Sequence, residues 1–233
     1  MNRGNKNVWS KLLFLCCFGT LLCLGGCTTI SGWFTSAPKQ ELEKTPESLV
    51  QEGLDAYQRK KFEVAIEAFQ KVKDRFPYNQ YAILAELKLA DSYFLNKDYE
   101  LAAAAYKEFE KLHPANEIIP YVVFQQGMCY FKQLPTTDRD QSKAELAVQE
   151  FDRLLKTYPQ SEYAAEAQTN RTASRGNIVL HEFYVGEFYF NKKNCPAALG
   201  RFEGILQKYP DVTPPPKMEG YLKTCREKAT SSK

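Results

Sequence analysis

Few side chains in this sequence have the reactivity to perform chemistry, and their spacing argues against a catalytic centre. Of the two histidines, His113 precedes a proline and His181 lies in a segment with helical periodicity. Neither has a second histidine or a cysteine at the spacing of a metal site, so we predict no metal and no cofactor. The sequence has no phosphate-binding glycine loop, Gly-x-Ser-x-Gly or His-Glu-x-x-His motif. We therefore predict that the protein is not an enzyme and that His181 packs or forms a hydrogen bond.

One cysteine stands in a context that predicts a covalent modification. The segment Leu24-Gly25-Gly26-Cys27 follows three cations and an apolar run of 13 residues at 12–24. That run is too short to span a bilayer core of ~30 Å, and the whole arrangement is typical of a secretory signal. Small residues before the cysteine resemble the processing site of a bacterial lipoprotein, in which the cysteine carries acyl chains. We predict a signal peptide at 1–26 and lipid attachment at Cys27, the alternative being a signal that merely contains a cysteine.

Removal of the signal peptide changes the charge of the chain. The full sequence has a net charge of +3, and residues 1–26 contain three cations and no acid, so the mature chain is near neutral. Neutrality gives no electrostatic reason to expect nucleic acid as a partner. Residues 27–45 have few apolar side chains and are predicted to be a flexible tether after the lipidated cysteine. The single domain is predicted at 46–229, with a disordered tail at 230–233.

A repeated pattern begins at residue 46. A small residue, an aromatic residue four positions later and a proline eight positions further recur four times, starting at Ala65, Ala102, Ala147 and Ala198. Each block is preceded by another small residue, at Gly53, Ala90, Gly127 and Gly186. Positions four apart share one helix face, a small residue admits a close neighbour, and proline ends a helix. The pattern is that of tetratricopeptide (TPR) repeats. It predicts an all-α fold, a right-handed superhelix of antiparallel helix pairs with four repeats and a partial fifth.

The third repeat contains an insertion. Eight additional residues separate its two small positions, and they fall within residues 134–143. Asp138 or Asp140 is expected to cap the helix that follows, because a side-chain oxygen there accepts an unpaired N–H.

The fourth repeat has an overlong first helix. A stripe of residues at steps of three and four, most of them apolar, predicts one helix from a cap at Ser161 to about Lys193, with Gly176 as a place where it can bend. Such a helix would be ~50 Å long. After the prolines at 214–216, a last helix is predicted at 217–228, which begins a fifth repeat whose second helix would lie beyond the sequence.

The first helix of each repeat is expected to line the inner face of the superhelix. Aromatic residues lie four positions after the small residue of each first helix, and apolar residues lie about one turn before it. These side chains are predicted to form a groove for an extended or helical apolar peptide; the alternative is that several of them pack against the next helix. The predicted groove residues are Val50, Tyr57, Leu87, Phe94, Phe124, Phe131, Tyr184 and Phe190.

Two of the remaining cysteines are placed symmetrically about a turn. Cys195 lies 15 residues before Pro210, and Cys225 lies 15 residues after it. Equal offsets from a turn bring residues side by side in an antiparallel helix pair, so a disulfide is possible. Two buried, unpaired thiols are the alternative. A Cα–Cα distance beyond ~7 Å would exclude the bond.

Four short segments make the resemblance more specific than the TPR pattern alone. They are Arg-Phe-Pro-Tyr at 75–78, Asp-Arg-Asp at 138–140, Tyr-Pro-Gln-Ser-Glu-Tyr at 158–163 and Arg-Phe-Glu-Gly at 201–204. Together with the acylated cysteine, the insertion and the overlong helix, they resemble the BamD family. Members of that family are the TPR lipoproteins of the outer-membrane β-barrel assembly (BAM) machinery. The similarity extends from Cys27 to about Glu227.

The resemblance implies a lipid-anchored scaffold on the periplasmic face of the outer membrane. Its C-terminal half would bind the POTRA domains of a BamA-like β-barrel insertase, with Arg201 as a candidate contact. Other BAM lipoproteins would be further partners. The first repeats would receive the C-terminal targeting strands of unfolded outer-membrane proteins, which commonly end in an aromatic residue. Thr28, rather than aspartate, follows the cysteine, and in enteric bacteria that choice permits transport to the outer membrane.

Three other functions fit a TPR lipoprotein. A pilotin for a secretin should keep a regular period near 34 residues, which this chain breaks. An adaptor that coordinates the cell envelope with peptidoglycan synthesis should carry an N-terminal coiled coil, and residues 28–45 show no heptads. The third possibility is an interaction module with an unknown partner.

Overall fold

The computed structural model describes residues 44–231, and the regular structure in this range is entirely α-helical. Nine helices follow one another within it: α1 (Pro46–Gln58), α2 (Phe62–Arg75), α3 (Ala82–Leu95), α4 (Tyr99–Leu112), α5 (Ile119–Phe131), α6 (Ser142–Thr157), α7 (Ala164–Asn191), α8 (Cys195–Lys208) and α9 (Lys217–Ser231). The predicted signal peptide, the lipid attachment at Cys27 and nearly all of the predicted tether lie outside the described residues.

The helices form four successive pairs, α1–α2, α3–α4, α5–α6 and α7–α8. Each helix packs against the helices before and after it in the chain. The last helix, α9, packs against α8 and α7 and so takes the place of the first helix of a fifth pair. Each pair covers the apolar face that the previous pair leaves open. The predicted all-α, TPR-type superhelix of four repeats and a partial fifth is confirmed.

The contact that recurs in the pairs joins a small residue of the first helix to a ring of the second. A β-carbon added to Gly53 would lie 2.5 Å from the ring of Phe69, and one added to Gly127 would lie 2.6 Å from the ring of Phe151. Glycine at these positions therefore permits an approach that no other residue allows without a shift of the ring. The equivalent residues in the four pairs are Gly53–Phe69, Ala90–Tyr106, Gly127–Phe151 and Gly186–Phe202.

Three of the turns within pairs use a lysine in the left-handed conformation. These residues are Lys60, Lys97 and Lys193, with φ of 58°, 69° and 62°. In the first turn, the N–H of Lys61 donates to the carbonyl of Ala56 at 2.8 Å, which is the outer bond of a Schellman motif. The same bond closes the other two turns. A left-handed conformation costs a non-glycine residue about 1–2 kcal/mol, so these turns are held by their hydrogen bonds and by the packing of the pair.

The connection in the third pair forms an ordered loop before α6. The side-chain amide of Gln141, which is buried, donates to the carbonyls of Thr136 and Arg139 at 3.0 and 2.8 Å. Asp140 accepts the N–H of Ser142 at 3.0 Å. Of the two residues predicted to cap α6, Asp140 accepts an N–H of its first turn, but the N-cap position itself is occupied by Gln141.

The overlong helix α7 holds this loop. The side-chain amide of Asn177 donates to Oε1 of Gln141 at 2.6 Å and to the carbonyl of Pro135 at 3.0 Å. One turn later, Nδ1 of His181 lies 2.7 Å from the carbonyl oxygen of Thr137. The predicted hydrogen-bonding role of His181 is confirmed, and the insertion and the overlong helix are parts of one arrangement.

The bounds of the last helices differ slightly from those expected. Helix α7 has 28 residues, which corresponds to ~42 Å, and the expected cap residue Ser161 accepts the N–H of Tyr163 just before it. Helix α9 continues to Ser231, past the predicted end at 228 and into the predicted tail. No glycine or proline follows Gly220 to stop it.

Candidate functional site

Two of the eight predicted groove residues belong to the core. Val50 is 4% exposed and lies in the core of the first pair with Phe69. Phe124 is 5% exposed, and the ring of Tyr163 stacks on it with centroids 5.2 Å apart. The chain entering α7 therefore covers the inner side of α5 at this point. The prediction that Val50 and Phe124 line an open groove is wrong, because both side chains are buried against neighbouring helices.

Four of the other predicted groove residues are half-buried rings that contact a neighbouring ring. The centroid distances are 6.0 Å for Tyr57–Phe62, 5.5 Å for Phe94–Tyr99, 6.3 Å for Phe131–Phe151 and 4.2 Å for Phe190–Tyr221. The first three contacts lie within a pair, and the fourth places α9 over the end of α7. Leu87 is likewise partly buried against the central core. Helix packing thus uses much of this surface, and the exposed remainder is what a peptide can contact.

Tyr184 does not lie on the helix face that was predicted to line the groove, because its position relative to Gly186 differs by one residue from that of the equivalent groove residues. The other members of its set lie three residues before the small residue of their helix, and that position in α7 is Phe183. Phe183 packs on the ring of Phe202 at 5.9 Å, whereas Tyr184 is 50% exposed.

Tyr184 belongs instead to an apolar stripe on α7 that sequence reasoning missed. Leu180 and Phe188 lie four residues to either side of it and are 47% and 54% exposed. The signal was present in the sequence as three large apolar residues at intervals of four, a spacing that places them on one helix face.

Polar groups from α3, α4 and α5 converge on Asp91 of α3, which is only 4% exposed. Tyr106 of α4 and Tyr121 of α5 each donate a hydroxyl hydrogen to Oδ1 of Asp91, at 2.8 and 2.9 Å. Lys88, one turn earlier in α3, donates to Oδ2 at 2.8 Å. Its Nζ also lies 5.1 Å from the ring centroid of Tyr57 in α1. The buried carboxylate is therefore partnered at both oxygens, and it connects the second pair to the third directly and to the first through Lys88.

The electrostatics of this cluster fix the protonation of its members. Burial and the negative charge of Asp91 raise the pKa of Tyr106 and of Tyr121, so both remain hydroxyl donors. Burial acts to lower the pKa of Lys88. The hydrogen bond to Asp91 and the negative charge of Asp91 outweigh burial and leave the pKa of Lys88 above its ordinary value. Lys88 is thus a charged ammonium group, and 28% of its side chain is exposed.

A second polar network joins the second pair to the third. Arg153 of α6 donates to both carboxylate oxygens of Glu110 in α4, at 2.5 and 3.1 Å, and to Glu150 at 2.8 Å. Gln126, which is fully buried, donates to Glu110 at 2.8 Å. Burial acts to raise the pKa of Glu110, but the hydrogen bonds from Arg153 and Gln126 outweigh it and lower the value. Every member has a partner within the network, which is typical of a structural role.

Arg201 of α8 lies at the side of a cleft of about 420 Å³. Its guanidinium group donates to both carboxylate oxygens of Glu182, at 2.8 and 3.2 Å. Small residues of α8, Gly200 and Gly204, help to leave the cleft open over Ile178. Because 44% of the Arg201 side chain is exposed, a partner can reach it beside Glu182.

The structure joins Cys195 and Cys225 in a disulfide that links α8 to α9. Their Cα atoms are 5.1 Å apart, within the distance that such a bond requires. Of the two alternatives left open by the sequence, the structure contains the bond. Cys129 is free and buried, and burial raises the pKa of its thiol to about 12, which suppresses the reactive thiolate at neutral pH.

Two other kinds of site, a metal centre and a membrane-spanning helix, have no counterpart among residues 44–231. In this part of the chain, no group of three or more His, Cys, Asp or Glu residues is arranged to hold a metal ion. None of its helices combines the length and apolar character needed to cross a membrane. Nε2 of His113 lies 2.7 Å from Oε2 of Glu86, which binds the turn after α4 to α3.

Comparison with known proteins places these features in a family. A family model described as "YfiO: Outer membrane lipoprotein" matches residues 42–222. A protein of Rickettsia prowazekii named outer membrane protein assembly factor BamD is 30% identical over 188 residues, covering 81% of this chain and 72% of the relative. A protein of Vibrio cholerae with the same name is 27% identical over 188 residues, covering 76% of this chain and 78% of the relative. Among solved structures, the TPR2AB domain of yeast Sti1 in complex with pHSP90 matches with a TM-score of 0.43 and 14% identity, over 80% of this chain and 71% of that one, a score too low to support an inference.

Proposed function

Because this chain belongs to the YfiO family of outer membrane lipoproteins, we propose that it is an outer-membrane protein assembly factor of the BamD type. The observation that carries the proposal is the family match over residues 42–222, which includes the insertion and α7. Relatives that share most of this chain carry the name of an assembly factor. The protein is therefore associated with the outer membrane and is a scaffold in kind rather than an enzyme.

The anchored end and the C-terminal half have separate roles in this proposal. Acyl chains on Cys27 hold the protein on the periplasmic face of the outer membrane. The cleft beside Arg201 contacts the POTRA domains of a BamA-like insertase, and other BAM lipoproteins complete the complex. The exposure of Arg201 and the open cleft at its side support this assignment.

The inner face of the first pairs has the role of receiving unfolded outer-membrane proteins. Their C-terminal strands alternate apolar residues and commonly end in an aromatic one. The half-buried rings of Tyr57 and Phe94 and the exposed side chains of Leu84 and Leu95 support an apolar contact of this kind. Aromatic and aliphatic surface is typical of peptide-binding sites.

A pull-down with the tagged full-length protein from detergent-solubilised membranes tests the proposal. We expect recovery of a large β-barrel protein with POTRA domains, and loss of that protein from the Arg201→Ala variant. Arg226→Ala is the matched control, since Arg226 is also an exposed arginine that pairs with a glutamate. Recovery of a secretin, or of peptidoglycan-synthesis proteins in place of the β-barrel, would overturn the proposal in favour of the pilotin or the envelope adaptor.

A further inference from the structure

The turns within pairs and the connections between pairs carry opposite charge. Because the helices of each pair are antiparallel and the pairs stack in order, the turns lie at one edge of the superhelix and the connections at the other. Eight lysines and arginines and three aspartates lie in the turns, at 59–61, 96–98, 132–141 and 192–194. Three acids and no lysine or arginine lie in the connections, at 76–81, 113–118, 158–163 and 209–216. The four turns therefore define a basic edge, although the mature chain as a whole is near neutral.

Three lysines of the basic edge occupy positions that suit glycine better. Lys60, Lys97 and Lys193 are exposed and have a positive φ, which is costly for lysine and free for glycine. Within residues 44–231, none of the three side chains forms an ion pair or lies against an aromatic ring. Contacts in this part of the chain therefore do not explain why a cation recurs at this position.

Other cations at helix ends have a local explanation. Arg75, Lys111 and Lys156 lie in the last turns of α2, α4 and α6, near the acidic connections. A cation there interacts favourably with the helix dipole, and its backbone remains helical. The first helices α1, α3 and α7 have no basic residue in their last turns, where a lysine would gain the same benefit without strain. The position of the left-handed lysines thus points to a partner outside the fold.

Exposed apolar side chains accompany the lysines of the basic edge. Val64 and Leu101 lie four residues after the left-handed lysines of the first two pairs and are 44% and 54% exposed. In the last pair, Nζ of Lys192 lies 5.8 Å from the ring centroid of Phe188, which is 54% exposed. Cations beside exposed apolar side chains are typical of surfaces that bind the headgroup region of a bilayer.

The chain before α1 is long enough to bring the basic edge to a membrane. Residues 28–45 separate Cys27 from α1, and a segment of this length can extend to at most about 60 Å. Helix α1 begins at the edge with the connections and, with 13 residues, is about 20 Å long. An anchor on Cys27 therefore permits either edge to face the lipid. Charge decides between them, because an anionic membrane surface attracts lysine and repels acids.

We propose that the basic edge binds the anionic phospholipid headgroups of the membrane to which the chain is anchored. Lysines of the turns pair with the phosphate groups, and Val64, Leu101 and Phe188 contact the boundary of the acyl chains. The assignment rests on the proposed function, in which Cys27 holds the protein on the periplasmic face of the outer membrane. It adds an orientation, with the turns toward the lipid and the acidic connections toward the periplasm.

The test uses the mature chain, residues 27–233 with Cys27→Ser, so that no acyl chain contributes to binding. Its affinity is measured by co-sedimentation with vesicles of phosphatidylcholine alone and with vesicles that contain about one quarter phosphatidylglycerol. We expect binding to the anionic vesicles to be tighter by about tenfold or more, and this preference to be lost at high salt. Equal binding to the two kinds of vesicle would overturn the proposal.

A glycine variant removes three charges from the basic edge without strain. In Lys60→Gly/Lys97→Gly/Lys193→Gly, the affinity for anionic vesicles should fall by about tenfold or more. The fold should be retained, because glycine suits the three turns. The matched control removes three charges near the opposite edge and should change the affinity by less than about twofold; it is Arg75→Gln/Lys111→Gln/Lys156→Gln. Equal losses in the two variants would mean that only net charge matters, and the assignment to the edge would be overturned.

Lysine acetylation followed by mass spectrometry gives a measurement that needs no variant. When anionic vesicles are added, Lys60, Lys97 and Lys193 should lose reactivity, because headgroups cover their ammonium groups. Lys111 and Lys156 should keep their rates of acetylation. Equal protection of all five lysines, or protection of none, would overturn the proposal.

The experiments separate this assignment from the function on which it rests. Failure of the mature chain to bind anionic vesicles overturns the role of the basic edge and leaves the proposed function standing, since neither the acyl chains nor the insertase is in the assay. The anchor is tested with the acylated wild-type protein, which should stay in the membrane fraction after a wash at high salt. Release by salt would overturn the lipid-anchored scaffold, whatever the vesicles show.

Discussion

The first two helix pairs and the C-terminal part of the chain share one packing contact but differ in how their helices are connected. In α1–α4, each pair is closed by a three-residue turn with a left-handed lysine, and the small residues recur after 37 positions. From α5 to α9, the same lysine turn closes the α7–α8 pair, but a longer connection in the third pair, a 28-residue helix and a disulfide are added, and the next spacing between small residues is 59. The contact between a small residue and a ring thus recurs in every pair. In the C-terminal part, side-chain hydrogen bonds hold the longer connection and a disulfide joins the last two helices.

The largest expected effect comes from removing the covalent bond. Replacing Cys195 and Cys225 by alanine should lower the free energy of unfolding of the α8–α9 region by about 3 kcal/mol, because the bond restricts the unfolded chain over a sequence separation of 30. Urea unfolding and amide hydrogen exchange measure this change. The amides of α1–α4 should keep their protection. An equal loss in every helix would contradict the distinction between the two parts.

The next effect concerns the buried carboxylate of the first three pairs. Asp91→Asn should lower the free energy of unfolding by about 2 kcal/mol, since it removes a charged acceptor from two tyrosines and leaves Lys88 without its counterion. Asp55→Asn, at an exposed position in α1, should change it by less than about 0.5 kcal/mol. Chemical denaturation followed by circular dichroism measures the free energy of unfolding of both variants. Equal losses would contradict the structural role of the Asp91 cluster.

The pH dependence of unfolding gives a second measure of the same cluster. The pKa values of Tyr106 and Tyr121 are higher in the folded chain than their ordinary value of about 10, so the folded state holds these protons more tightly. Their contribution is complete below pH 10 and is lost as the pH rises above it. The unfolding free energy should therefore fall more steeply above pH 10 in the wild type than in Tyr121→Phe.

A smaller effect compares two glycines of one helix. Gly186→Ala should destabilise the protein by about 1–2 kcal/mol, because the new β-carbon meets the ring of Phe202. Gly176→Ala should stabilise it by about 0.5–1 kcal/mol, since nothing lies within 4 Å of the added carbon and alanine favours the helix. Thermal unfolding of the two variants measures the opposite signs. A stabilising Gly186→Ala would contradict the close contact on which the repeat depends.

The smallest effect concerns the turns. Lys97→Gly should stabilise the second pair by about 0.5–1 kcal/mol, because glycine adopts a φ of 69° without strain. Lys132→Gly is the control, since Lys132 ends α5 with a φ of −67° and gains nothing from glycine. Differential scanning calorimetry resolves shifts of this size. Equal shifts in the two variants would show that the left-handed conformation is not the cause.

Periodic features of the fold could be predicted from the sequence, whereas its side-chain partners across helices could not. Small residues, rings and prolines at fixed spacing identify the pairs, and the steps of three and four identify α7. The burial of Phe124 could not be found this way, since it depends on where Tyr163 lies in space. The burial of Val50 was missed for a similar reason. Its position in the repeat predicts the inner face, but the side chain packs into the core of the first pair.

The polar cluster shows which signal was overlooked. Its tyrosines lie 15 and 30 residues from Asp91, and no local pattern links residues at those distances. However, Lys88 and Asp91 are a charged pair at an i, i+3 spacing within the largely apolar helix α3. Charges in such a helix require buried partners, and the hydroxyl groups of tyrosines in adjacent repeats can supply them. The positions of Cys195 and Cys225 about Pro210 permitted both a bond and free thiols, and only their spatial distance separates these alternatives.

The last helix, α9, is amphipathic. Met218 and Leu222 of α9 are buried, and Tyr221 stacks on Phe190. Its outward positions carry charged, exposed residues such as Glu219 and Lys223. Repeat stacks elongate where an apolar end is left uncovered, and the outward side of α9 presents charge instead. Two copies of this chain therefore have no apolar reason to join through that side of α9.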